Sequence, residues 1–166
     1  DFYILAENSQ RNIEFLTCQL TEKAYIQNNF VYIQSQSAEQ ANNLDELLWK
    51  YKPESFLPHC NVLENVLENV LENVLDNSTK TSLSSDMNET YNYPILINSN
   101  ETIVPNYNPK NLNEVLLNLS TKTPDFFSQF HRLAEIVDND EDSKQLARQR
   151  FRFYKDRGYE IATHKM

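Results

Sequence analysis

FVYIQSQSAEQANNLDELLWKYKP, residues 30–53, decides the fold. It opens on Phe30, Val31, Tyr32 and Ile33, an aromatic and β-branched run that reads as a strand buried on both faces. A short polar connection follows, and Ser37 stands where a helix N-cap belongs. Beyond it Ala41, Leu44, Leu47, Leu48 and Tyr51 recur at three- and four-residue spacing, one face of a helix that stops before Pro53. Working outward, residues 2–6 form another short apolar run. Residues 10–28 carry helical spacing through Ile13, Leu16, Leu20 and Ala24, ended by Asn28-Asn29. The opening is therefore β-α-β-α, the start of an α/β sheet with crossover helices. Further strands are expected at 94–97, 115–119 and 133–137, the last after a short helix or turn from residue 126, with a final strand at 159–163. The expected architecture is a single three-layer α/β domain over residues 1–166 with a mostly parallel central sheet. Its topology is Rossmann-like, without the phosphate-binding glycine loop.

The 166 residues suffice for one domain with a true core. No run approaches the 18 apolar residues of a membrane span, and the first residues lack the basic and apolar regions of a signal peptide. Cys18 and Cys60 are far apart with no C-x-x-C spacing, the pattern of reduced thiols in a cytoplasmic protein. Residues 61–76 repeat Asn-Val-Leu-Glu three times and end Asn-Val-Leu-Asp, and residues 77–92 are polar and rich in Ser and Thr. A four-residue period drifts around a 3.6-residue helix, so its apolar stripe winds. This stretch, about 61–92, reads either as an expanded surface insertion or as a small oligomerisation helix.

Charge is distributed unevenly. Residues 143–166 hold seven Lys/Arg against Asp156 and Glu160, a net of +5, whereas residues 1–142 carry −14 within an overall −9. A basic element on an acidic body attracts anions along one face only. The acidic body disfavours broad nucleic-acid binding. The basic segment reads as a helix, with N-cap and first-turn acids across residues 138–143 and Gly158, the one glycine of the chain, as its stop. Lys144, Arg148, Phe151 and Lys155 fall on one stripe with Arg152 at its edge, while Leu146, Phe153 and Tyr154 point elsewhere. A solvated face and an anion-binding face both fit the charges; the aromatic inside the stripe favours binding.

Catalytic signatures are lacking. The first strand-to-helix turn, residues 6–11, has no glycine and one acid, and neither a P-loop nor a G-x-G-x-x-G occurs. Cofactors are accordingly expected to be none. Cys18 lies beside the apolar stripe of its helix and reads as core. His59-Cys60, His131 and His164 lack partners at zinc spacing. Trp49, the sole tryptophan, falls away from the buried face of its helix; partner anchoring and packing beneath residues 50–59 both account for it. Phe56, between two prolines, is a similar case.

LDELLWKYKPESFLPH (residues 44–59) and DEDSKQLARQRFRFYKDRGYEIATHK (residues 140–165) together resemble the chi-subunit family of bacterial DNA polymerase III. The carrying marks are D-E-x-L-W running into P-x-S-F-x-P-H, then E-D-x-x-x-x-A-R-x-R-x-x-x-Y. The N-terminal FYIL and VLLNLSTKTPDFFSQFHRLAEIVD (residues 115–138) fit as well; the repeat, its tail and residues 98–113 look like insertions. The resemblance implies a non-enzymatic, clamp-loader-associated subunit, cytoplasmic and at the replisome. It would hold the acidic, Phe-terminated C-terminal tail of single-stranded DNA-binding protein and would reach DNA through that partner. A psi subunit, where present, would use another surface. Carried over residue by residue, the tail site comprises Trp49, Phe56, Lys144, Arg148, Phe151 and Arg152. Phe151 stands where many relatives have Tyr, which keeps an apolar wall and removes one hydroxyl. A nucleotide-using α/β enzyme and direct binding of single-stranded nucleic acid are the alternatives from the residues alone.

Overall fold

Seven strands lie side by side, all parallel, in the order β3-β4-β2-β5-β6-β1-β7 among the described residues. The computed structural model describes residues 1–6, 12–52, 54–62, 93–99 and 113–166. In chain order these hold β1 (Phe2–Ile4), α1 (Ile13–Ile26), β2 (Asn29–Gln34), α2 (Ala38–Lys50), β3 (His59–Asn61), β4 (Ile95–Asn98) and β5 (Asn113–Asn118). A 3-10 turn (Phe127–Gln129), β6 (Arg132–Val137), α3 (Glu141–Asp156) and β7 (Thr163–Lys165) complete them. This is the expected three-layer α/β domain.

Strand alternation divides the core. Val31 and Ile33 of β2 join Leu16, Leu44 and Leu48 under α1 and α2. Phe30 and Tyr32 turn the other way, to Leu96, Leu116 and Phe126. Near the opposite edge Phe2 and Val137 meet Ala147 and Tyr154 of α3. A strand covered on both faces has no use for alternating polarity, which is why β2 reads as an unbroken apolar run.

The helix ends follow local chemistry. Asn12 accepts the Phe15 N–H at 2.8 Å, Ser37 that of Gln40 at 3.1 Å, and Asp140 that of Ser143 at 2.8 Å. At the end of α3, Gly158 adopts φ +80° and its N–H reaches the Lys155 carbonyl, while Tyr159 N–H reaches back to Tyr154. This pairing is a Schellman cap, and the Tyr159 ring closes it against Tyr154 at 6.3 Å between centroids.

That cap moves the last strand from where the sequence put it. Tyr159 packs on Phe127 as well as Tyr154, so residues 159–162 run as the exit from the cap and β7 begins only at Thr163. β3 was not anticipated: His-Cys-Asn has no strand signature, yet it pairs with β4 at the sheet edge. The repeat also begins inside the fold. Asn61 is a strand residue whose amide donates to Asn42 Oδ1 at 2.8 Å, and Val62 is buried. Likewise Asn98 and Asn113, read as insertion ends, are strand residues. Apart from Ser99, the rest of both insertions, with the oligomerisation reading of the repeat, lies outside the described residues.

Candidate functional site: a basic cleft beside the last helix

A cleft of about 650 Å³ opens between α3 and β7. Its floor is apolar, made by Phe2, Ile4, Val137, Ala147 and Phe151. The Phe151 ring is fixed against Phe2 at 5.6 Å. One wall is the α3 stripe of Lys144, Arg148, Arg152 and Lys155; β7 adds Thr163 and Lys165. At 1.5 Å per residue the stripe from 144 to 155 spans about 17 Å. Among the described residues no carboxylate lines this cleft. Glu141 stands at its mouth, its exposed carboxylate 3.3 Å from Lys144 Nζ and 3.9 Å from Arg148 Nη1. The Arg148–Glu141 contact is exposed at both ends, and pairs of this kind are weak, so an incoming carboxylate would displace Glu141 from Arg148 at small cost. The cleft suits a short anionic ligand with an apolar end: cations take the charges and the floor takes the apolar group.

Four of the six residues singled out from the sequence meet here: Lys144, Arg148, Phe151 and Arg152. Trp49 and Phe56 do not. They pack together at 5.6 Å beside His59 of β3, the far edge strand, whereas the cleft is built on β1 and β7. From β3 to β7 are six strand spacings, about 29 Å at about 4.8 Å each. The two places also lie on opposite sheet faces, since α2 and α3 cover different ones. Four extended residues reach about 14 Å, so no such segment touches both. Lys155, on the stripe from the start, belongs to the cleft. Lys165 was missed because nothing local sets the register of β7.

The second arginine of the A-R-x-R motif has a different task. Arg150 turns inward, its Nε 3.0 Å from the buried Glu135 carboxylate and its Nη1 donating to the Thr121 carbonyl at 2.7 Å. Glu135 also accepts from Tyr154 at 2.5 Å and Asn118 at 3.0 Å. Burial pushes the Glu135 carboxyl up, against the pull of Arg150 and these donors. Burial and the neighbouring carboxylate raise the Tyr154 phenol, which stays a donor. The motif thus splits: Arg148 faces the cleft, while Arg150 and Tyr154 anchor α3 to β6. A second cavity of about 440 Å³ is lined in part by Tyr154, Phe127, Phe130 and Tyr159.

At the far edge Trp49 and Phe56 are 53% and 69% exposed. His59 lies under the indole at 4.5 Å between rings, with Nδ1 2.6 Å from the Leu57 carbonyl and Nε2 3.2 Å from that of Asp45. Asp45 Oδ1 is also 3.3 Å from Nε2. Both ring nitrogens face oxygens, an arrangement that favours the form protonated on both. Burial works against that charge, but Asp45 and the Leu57 carbonyl outweigh it and the pKa rises.

Among the described residues no group of three or more His, Cys, Asp or Glu side chains is placed to hold a metal ion. Cys18 is fully buried and its thiol is pushed up to about 12, mainly by burial, so it serves as core. No helix among the described residues is long and apolar enough to cross a membrane.

Residues 1–162 match the family described as "DNA polymerase III chi subunit, HolC". Similar proteins include the DNA polymerase III subunit chi of Pseudomonas aeruginosa, 28% identical over all of this chain and 95% of that protein. The Haemophilus influenzae subunit chi is 27% identical over 99% and 95% of the two chains. That of Escherichia coli is 24% identical over 98% and 94%.

Proposed function

Because the chain belongs to the DNA polymerase III chi-subunit family, we propose that it is a non-catalytic, clamp-loader-associated subunit of the holoenzyme, acting in the cytoplasm at the replisome. In this reading the cleft holds the acidic C-terminal tail of single-stranded DNA-binding protein and so links the polymerase to coated single strands. The observation that carries it is the cleft: five cations over an apolar floor, on a chain of net charge −9. A terminal carboxylate and preceding aspartates pair with Arg148, Lys144 and Arg152, with Arg available for bidentate contact. A terminal Phe ring settles on Phe151 and Phe2. DNA is reached through the partner, since a duplex would meet a largely acidic surface. Trp49 and Phe56 form a separate exposed aromatic surface, available to a second protein such as the psi subunit.

The test is fluorescence anisotropy of a labelled peptide ending Asp-Ile-Pro-Phe, titrated with the protein and with Arg148→Ala. Arg148 is exposed, so its loss leaves the fold intact. Losing one charge-assisted contact weakens binding by about 10- to 100-fold. Removing the terminal Phe abolishes most of the rest. Absence of saturable wild-type binding at low salt overturns the reading.

A further inference from the structure

The family match ends at residue 162, before the strand that closes the cleft. β7 pairs in parallel with β1, with Thr163 opposite Phe2 and Lys165 opposite Ile4. Period-two alternation then puts Thr163 and Lys165 on the side of Phe2 and Ile4, the cleft floor. His164 turns to the other face and stacks on Tyr3 at 4.6 Å. β7 is the last strand of the sheet, so its side chains form the margin of the cleft opposite α3. Lys165 is exposed, and among the described residues it has no carboxylate partner.

A row of cations on one helix holds an anion from one side and leaves it free to slide along the stripe. A cation on the facing wall adds attraction and removes that freedom, because the chain must then run in the channel between helix and strand. We propose that β7 is the second wall of the anion site and that Lys165 contacts the acidic peptide from across the cleft, making it a two-sided clamp. The inference rests on the tail-binding reading above. Lys165 acts as a movable point charge, complementing the planar fork of Arg148.

The experiment compares the wild type, Lys165→Ala, Lys165→Gln and a control, Lys23→Ala, which removes an exposed charge from α1 on the opposite face. Each is titrated with the peptide ending Asp-Ile-Pro-Phe and with a version whose aspartate is replaced by asparagine. Both Lys165 variants are expected to bind the acidic peptide about three- to tenfold more weakly, a deficit that shrinks in high salt and with the asparagine peptide. Lys23→Ala binds as the wild type does. Thermal unfolding of all four proteins identifies any loss caused by misfolding, and the Gln variant keeps the stem that packs at the margin. Wild-type binding with both Lys165 variants indistinguishable from Lys23→Ala overturns the clamp and leaves the tail reading standing. Absence of wild-type binding sinks that reading and the clamp with it.

Discussion

Replacing Arg150 by Met separates the structural arginine from the cleft-facing one, Arg148. In the wild type the Arg150 side chain is 9% exposed and that of its partner Glu135 is 1% exposed, at 3.0 Å. Methionine fills much of the volume but leaves a carboxylate in the interior with Tyr154 and Asn118 as donors and no counter-charge. Breaking a buried pair from one side costs about 3–5 kcal/mol. For a domain of this size each kcal/mol lowers the melting temperature by about 2–4 °C, so a drop of roughly 6–20 °C is expected. The loss depends on pH with a definite sign. Without the guanidinium the Glu135 carboxyl, already raised by burial, rises further. The folded state then binds a proton that the unfolded state has released, so stability falls as pH rises through that window. Denaturant unfolding of Arg150→Met at pH 5 and pH 8 should show the larger deficit at pH 8. Adding Glu135→Gln, which removes the orphaned charge, should recover much of it. A deficit below about 1 kcal/mol, or one equal at both pH values, would refute the reasoning.

Protonation of His59 is readable through Trp49, the only tryptophan, whose ring is tilted against it at 4.5 Å between centroids. The folded pKa is raised, so the ion pair with Asp45 is complete below the ordinary 6.5 and its stabilisation is lost as pH rises through the folded value. Indole fluorescence should rise in one step with a midpoint above 6.5 and stay flat in His59→Gln; a midpoint at or below 6.5 contradicts the double-donor geometry. Cys18, fully buried with its thiol near 12, should resist a thiol reagent at pH 8 until denaturant is added. Mass spectrometry showing rapid modification of Cys18 in the native protein would refute its burial.

Much of the fold could be read from local patterns because the deciding signals are local. β2 and its following helix announce themselves by an apolar run and a Ser cap, and α3 by Asp140 at its start and Gly158 at its end. Where the chain depends on distant partners, reading failed. His59–Asn61 is a strand only because β4 lies beside it, and β7 starts late because Tyr159 is held by Phe127 and Tyr154. The cleft was half legible. Helical periodicity collected Lys144, Arg148, Phe151 and Lys155 on one face, since they share one element. Lys165 comes from a different element, and only the register with β1 brings it to the cleft. The resemblance carried Trp49 and Phe56 to that site; strand order, which sends β3 and β7 to opposite edges and is not written in any single segment, parts them from it. Arg150 and Arg148 look alike in sequence; two residues of helical rotation turn one inward.

The placement of the cleft and the aromatic pair on opposite edges bears on how a complex would form. About 29 Å exceeds three screening lengths at physiological ionic strength, where each is about 8 Å. Charge arriving at one edge is therefore scarcely felt through solvent at the other, and neither surface blocks access to its counterpart. If each place takes a partner, occupancy of one leaves the electrostatics of the other unchanged to first order, so the two could load and depart in either order. On the proposed reading such a subunit would impose no sequence on assembly through charge; any obligatory order would have to come from what it joins.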